Sequence, residues 1–179
     1  MRKLLTTLLL LALTTIIQAK DKQADVMTFT DTTGKVYKVK GTEQGLKIEG
    51  LEGKIIFLEF FGHKCPPCLA SIPHLIDMQK KHKDKLAVVS IEVQGYSQKQ
   101  TTEFVKDKEI NYIVSSEETA AQFVLYIQQR AQWNGSIPFL VATDTNGDVQ
   151  FVKVGLLPES SLEELFIKLS NPKKAVVKK

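Results

Sequence analysis

Apolar and polar positions along the chain first alternate with period two. Met27 and Phe29 stand against Val26, Thr28 and Thr30, and Tyr37 and Val39 stand against Val36, Lys38 and Lys40. Successive side chains of a strand point to opposite faces, so each run predicts a strand with one buried face. Asp31-Thr32-Thr33-Gly34 between them predicts a short hairpin loop. Leu46-Lys47-Ile48 adds a short strand before the Gly50 to Gly53 turn. The alternation then stops, because Ile55 to Phe61 is an almost unbroken apolar run, the mark of a strand buried on both faces. Glu59 is its one exception. Leu86 to Val93 predicts a second such strand.

Helical spacing appears between them. Leu69, Ile72, Leu75, Ile76 and Gln79 predict a helix from about Pro66 to about His82, kinked at Pro73. Pro66 suits its first turn, where a missing N–H is no loss. Gln98 to Lys108 reads as an exposed helix, and Tyr112 to Val114 as a short strand. Ser116 to Gln132 opens on a capping pattern, Ser116 with Thr119, and carries Ala120, Phe123, Val124, Ile127 and Ala131 on one stripe. Pro138 to Thr143 and Val149 to Val154 are strands joined by a turn at Asp144 to Asp148. Pro158 to Ser170 closes as an amphipathic helix with Leu162, Leu165, Phe166 and Leu169. Strands and helices in this order predict an α/β fold, a mixed sheet flanked by helices with an N-terminal hairpin. The chain has no internal repeat and no low-complexity segment.

Composition adds the limits. With 43% hydrophobic and 25% charged residues, the 179-residue chain reads as an ordinary globular protein with one domain, placed at residues 20–170. The first nineteen residues differ: Arg2 and Lys3 precede an uncharged stretch from Leu4 to Ile17, and Gln18-Ala19 precede Lys20-Asp21-Lys22. This predicts a secretory signal, cleaved after Ala19 or, since Ile17 is large for a cleavage site, retained as an anchor. No cysteine stands near its end to carry a lipid. Setting Arg2 and Lys3 aside leaves 22 basic against 20 acidic residues, a balance that points to no nucleic-acid surface. Residues 171–179 concentrate positive charge after Asn171-Pro172 and read as a solvated basic tail.

The candidate chemistry lies in Phe60-Phe61-Gly62-His63-Lys64-Cys65-Pro66-Pro67-Cys68, which holds both cysteines of the sequence. Two thiols at this spacing form a redox dithiol, and a cysteine at a helix N-terminus is held as thiolate by the positive end of the dipole. A structural disulfide is the plain alternative in an exported protein, but a bridge over two residues closes too short a loop to stabilise much. A Cu(I) or zinc carrier using Cys65, Cys68 and His63 is the alternative from another class, without an apparent fourth ligand. A peroxidase reading is weaker, because the pair is vicinal. His63 stands where it can assist the thiolate; His74 and His82 are expected on the exposed side of the helix.

Hairpin, buried strand, CPPC, kinked helix, strand, helix, Ile137-Pro138, hairpin and helix in that order resemble the thioredoxin fold. Over residues 26–170 the chain is similar to the exported TlpA/ResA-like thiol-disulfide oxidoreductases. Pro73, five residues beyond Cys68, stands where thioredoxins carry a helix-kinking proline, and the segment Tyr112 to Gly135 looks like the insertion of the exported branch. The resemblance implies Cys65 as nucleophile, Cys68 as resolving thiol, Glu59 as the buried acid that moves the proton, and Pro138 in a cis-proline loop. It places substrate binding around Ile137, Lys64 and Pro67. It implies no cofactor beyond the Cys65–Cys68 disulfide, oxidised protein substrates such as apocytochrome c, a membrane electron donor, and a monomer in the periplasm that meets the membrane only through its signal or anchor. A thiol oxidase of the same fold is the alternative direction. Two positions depart from the family: Lys64 replaces a tryptophan before the first cysteine, and Ser71 replaces a glutamate three residues after the second.

Overall fold

The structure, a computed structural model, describes residues 26–171. The expected signal at 1–19 and the basic tail beyond Asn171 lie outside the described residues. Strands β1 (Val26–Thr30), β2 (Val36–Gly41) and β3 (Leu46–Ile48) form an antiparallel three-stranded sheet, with Phe29 opposite Tyr37. Then follow β4 (Ile55–Phe61), α1 (Pro66–His82), β5 (Leu86–Glu92), α2 (Gln98–Asp107), β6 (Ile113–Ser116), α3 (Glu117–Ala131), β7 (Phe139–Thr143), β8 (Val149–Val154) and α4 (Glu159–Ser170). The second sheet runs β6-β5-β4-β7-β8. β4, β5 and β6 are parallel, and β7 and β8 are antiparallel to their neighbours.

Every residue of β4 and β5 is buried, as the continuous apolar runs required. Their two faces serve two cores. Ile56, Leu58 and Phe60 join Phe29, Val39, Phe123 and Trp133 between the two sheets and α3. Ile55, Phe57 and Phe61 join Leu75, Met78, Leu162, Phe166 and both cysteines under α1 and α4. Glu59 shares the parity of the second set, so it enters the core beneath α1. Burying large apolar side chains contributes about 1.5–3 kcal/mol each, which fixes the register of both strands.

Three local expectations change. Ser116 caps α3 by position but makes no side-chain cap hydrogen bond. Its hydroxyl instead donates to Gln98 Oε1 at 2.7 Å, a longer-range partner that outcompetes the local one. Tyr112 is a buried core residue just before β6 rather than part of the strand. The helix histidines are not solvated: His74 is half-buried with Nδ1 lacking a partner among the described residues, and His82 stacks on Phe166 at 3.8 Å and bonds Glu163 at 3.0 Å. That hydrogen bond is the main cause holding the Glu163 carboxyl below its usual range.

Candidate active site

The local sequence decides how the dithiol is held. Cys65 is the N-cap of α1, with extended backbone (φ −104°, ψ 102°), and Pro66 and Pro67 occupy the first helical positions. Neither proline has an N–H. The first amide donor of the helix is therefore Cys68, and it points to Cys65 Sγ at 3.3 Å. A helix start with no acidic residue in its first turn presents its positive end to that sulfur. Cys65 and Cys68 are joined as a disulfide with their Cα atoms 5.2 Å apart. Cys65 is 7% exposed and Cys68 fully buried, so an incoming thiol or disulfide reaches Cys65 first.

Glu59 lies in the core beneath the helix, 3% exposed. Ser71 Oγ donates to its Oε1 at 2.6 Å, and Ser90 Oγ to its Oε2 at 3.3 Å. Burial pushes the carboxyl up to about 7, with the two hydroxyls pulling the other way. The nearby Tyr112 phenol is pushed well above its ordinary value, by burial first and the Glu59 charge second, and stays neutral. Glu59, Ser71, Pro138, Gly155, Leu156 and Leu157 line a cavity of about 20 Å³, room for a single water. Glu59 therefore borders a small cavity on the Pro138 side.

That side is built by the loop before β7. Ile137–Pro138 is a cis peptide, and the Pro138 carbonyl accepts from Gly155 N–H at 2.8 Å. Trp133, the single tryptophan, stacks on Phe139 with ring centroids 5.0 Å apart, and its indole N–H donates to Ser136 O at 2.7 Å. The ring anchors the segment leading into Pro138. Ile137 is half-buried and packs against the core cluster that holds both cysteines, while Lys64 and Pro67 are exposed.

His63 departs from its expected place. Its side chain is only 7% exposed, stacks on Tyr96 at 3.5 Å, and bonds Glu92 Oε1 through Nδ1 at 2.8 Å. Among the described residues no group of three or more His, Cys, Asp or Glu side chains is placed to hold a metal ion. Glu92, fully buried at the end of β5, also accepts from Gln94 N and Tyr96 N, both at 2.9 Å. Gln94 Oε1 in turn accepts from Lys64 N at 2.8 Å, and a Cβ on Gly62 would overlap the Gln94 side chain. The cysteine loop is thus strapped to the loop after β5. Sequence reading missed this strap and the Ser71 and Ser90 bonds. Glu92 carried the same signal as Glu59, an acid in an apolar strand.

Glu59 gives a stability prediction. An acid with a native pKa near 7 against an ordinary value of 4.5 binds more protons folded than unfolded between those limits. Stability should therefore fall as pH rises from about 4.5 to about 7 and level off above, by at most about 3 kcal/mol. Urea unfolding of the oxidised protein at several pH values checks it. Glu59→Gln should flatten that slope, and an equal slope in both proteins would contradict the assignment.

The AhpC/TSA family model matches residues 19–152. Among curated proteins the chain is 25% identical over 120 residues to the thioredoxin-like protein YneN of Bacillus subtilis, covering 65% of this chain and 66% of that one. It is 24% identical over 119 residues to the thiol-disulfide oxidoreductase ResA of Oceanobacillus iheyensis, covering 66% and 58%. The chain thus spans somewhat less than two thirds of these relatives. Its fold matches the crystal structure of a thiol:disulfide interchange protein of the thioredoxin family from Chlorobium tepidum, with TM-score 0.66 and 21% identity over 82% of this chain and 94% of that one. The architecture is the thioredoxin fold.

Proposed function

The chain belongs to the AhpC/TSA family, and we propose that within it this is a thiol-disulfide oxidoreductase that reduces disulfides of exported proteins. The observation that carries the reading is the helix start at Cys65, whose sulfur receives the first amide donor of α1. In the reduced protein the Cys65 thiolate attacks a substrate disulfide, forming a mixed disulfide and releasing one substrate thiolate. Glu59 then takes the Cys68 proton, the Cys68 thiolate attacks Cys65 Sγ, and the second substrate sulfur leaves with its electron pair. The substrate gains two electrons and the Cys65–Cys68 disulfide forms. A vicinal pair with a buried resolver favours this exchange over peroxide chemistry.

Export to the periplasm, through the segment at 1–19, belongs to the same proposal. No helix among the described residues is long and apolar enough to cross a membrane. Oxidised apocytochrome c is one substrate in keeping with it, bound by a monomer around Ile137, Lys64 and Pro67, with a membrane dithiol as the source of electrons. The reducing direction draws support from His63: bonded to the buried Glu92 carboxylate, it has any positive charge offset and does little to favour the thiolate. Lys64, exposed beside Cys65, favours the opposite direction, that of an oxidase. Equilibration of the pair with glutathione decides between them. A potential well below the roughly −120 mV of the most oxidising periplasmic dithiols is expected; a value near that figure would overturn the reductase. Trapping mixed disulfides with Cys68→Ala in the native host would identify the substrates.

A further inference from the structure

Ser71 has one hydroxyl proton and two acceptors. Its Oγ stands 2.6 Å from Glu59 Oε1 and 2.8 Å from the Cys68 backbone carbonyl, one helical turn back. One proton cannot serve both. Resting on the exchange chemistry proposed above, we infer that Ser71 is a positioning residue whose hydroxyl turns between these two acceptors as Glu59 gains and loses the proton of Cys68.

The two arrangements follow from hydrogen-bond inventory. When Glu59 is ionised it only accepts, and Ser71 donates to Oε1. When Glu59 is protonated the acid donates to Ser71 Oγ, whose own proton turns to the Cys68 carbonyl. In neither state does the Ser71–Glu59 pair leave a buried donor unsatisfied, a condition that matters because both residues are buried, Glu59 at 3% and Ser71 at 5% exposure. Ser71 lies on α1 three residues after Cys68, and the cavity beside it and Glu59 holds room for the water that carries the proton away. The bond favours the charged acid, as burial does not, so it keeps Glu59 able to act as a base near neutral pH.

The experiment mixes reduced protein with a bis(nitrobenzoate) disulfide and follows thionitrobenzoate release. Attack by Cys65 gives the first release, and resolution by Cys68 gives the second. In Ser71→Ala the pH midpoint of the second phase is expected to move up by about one unit, slowing it about fivefold at pH 7, while the first phase is unchanged. Ser71→Thr, which keeps the hydroxyl, is expected to restore the original midpoint. An unmoved midpoint in Ser71→Ala, or the same shift in Ser71→Thr, would overturn the inference. Absence of a second release from the unmutated protein would instead overturn the exchange reading itself. The unmutated protein offers a second measurement, independent of how the Ser71 variants fold: the infrared band of the protonated Glu59 carboxyl below neutral pH, identified by its loss in Glu59→Gln. It is expected at the low frequency of an acid that donates a hydrogen bond, and a free-acid frequency would overturn the two-acceptor arrangement.

Discussion

Cys65→Ser is expected to reduce insulin-disulfide reduction to background, a loss on the order of 10³-fold or more, as for other enzymes deprived of their nucleophile. A serine hydroxyl at the same helix cap keeps the fold and the Cys68 N–H bond, but it is not ionised at neutral pH and attacks sulfur poorly. Cys68 cannot take over. It is fully buried while Cys65 is 7% exposed, and its side chain lies within the core cluster under α1 and α4. Cys68→Ser should fail differently, forming a stable mixed disulfide through Cys65 and then stalling. The two failures are separable by mass: the Cys65 variant stays free, and the Cys68 variant carries the substrate half. Residual turnover by Cys65→Ser above a few per cent would remove Cys65 as the attacking thiol.

The cysteine motif was legible because its neighbours are local. Pro66 and Pro67 leave no earlier amide donor, and the helix follows from Leu69, Ile72 and Leu75 at their spacing. Glu59 stood out as one charge in a buried strand, and its parity with Ile55, Phe57 and Phe61 fixed its face. A cis-proline loop at Pro138 follows from the resemblance and not from any local pattern, and the Ile137–Pro138 peptide is cis. What periodicity could not show were pairings between distant segments. Ser71 and Ser90 reach Glu59 from 12 and 31 residues away, and His63 meets Glu92 across 29. A polar residue's partner depends on strand order, and nothing in the local pattern around His63 fixes β5 beside β4. The division into two sheets was hidden for the same reason: β1 and β2 alternate like strands of a half-exposed sheet, whichever sheet they join.

The strap at Glu92 carries the second large effect. Its carboxylate, fully buried, accepts three hydrogen bonds: from His63 Nδ1, Gln94 N and Tyr96 N. Glu92→Ala removes both acceptor oxygens and leaves three donors without their buried partner, an expected loss of about 3–5 kcal/mol in stability. Glu92→Gln keeps the shape and one acceptor oxygen but turns an amide N–H₂ toward a donor, and should cost less, about 1–3 kcal/mol. The active site should feel the change as well as the fold. Glu92→Gln removes the negative charge that His63 holds against its loop, two residues from Cys65. The Cys65 thiolate then gains stabilisation, and the dithiol of Glu92→Gln should become more oxidising than that of the unmutated protein. Urea unfolding and equilibration with glutathione measure the two effects on the same variant. A Glu92→Ala protein within about 0.5 kcal/mol of the original would show that the strap is not structural. A Glu92→Gln potential that is unchanged or more reducing would show that the His63–Glu92 pair does not set the poise of the dithiol, leaving Lys64 and the α1 dipole to set it.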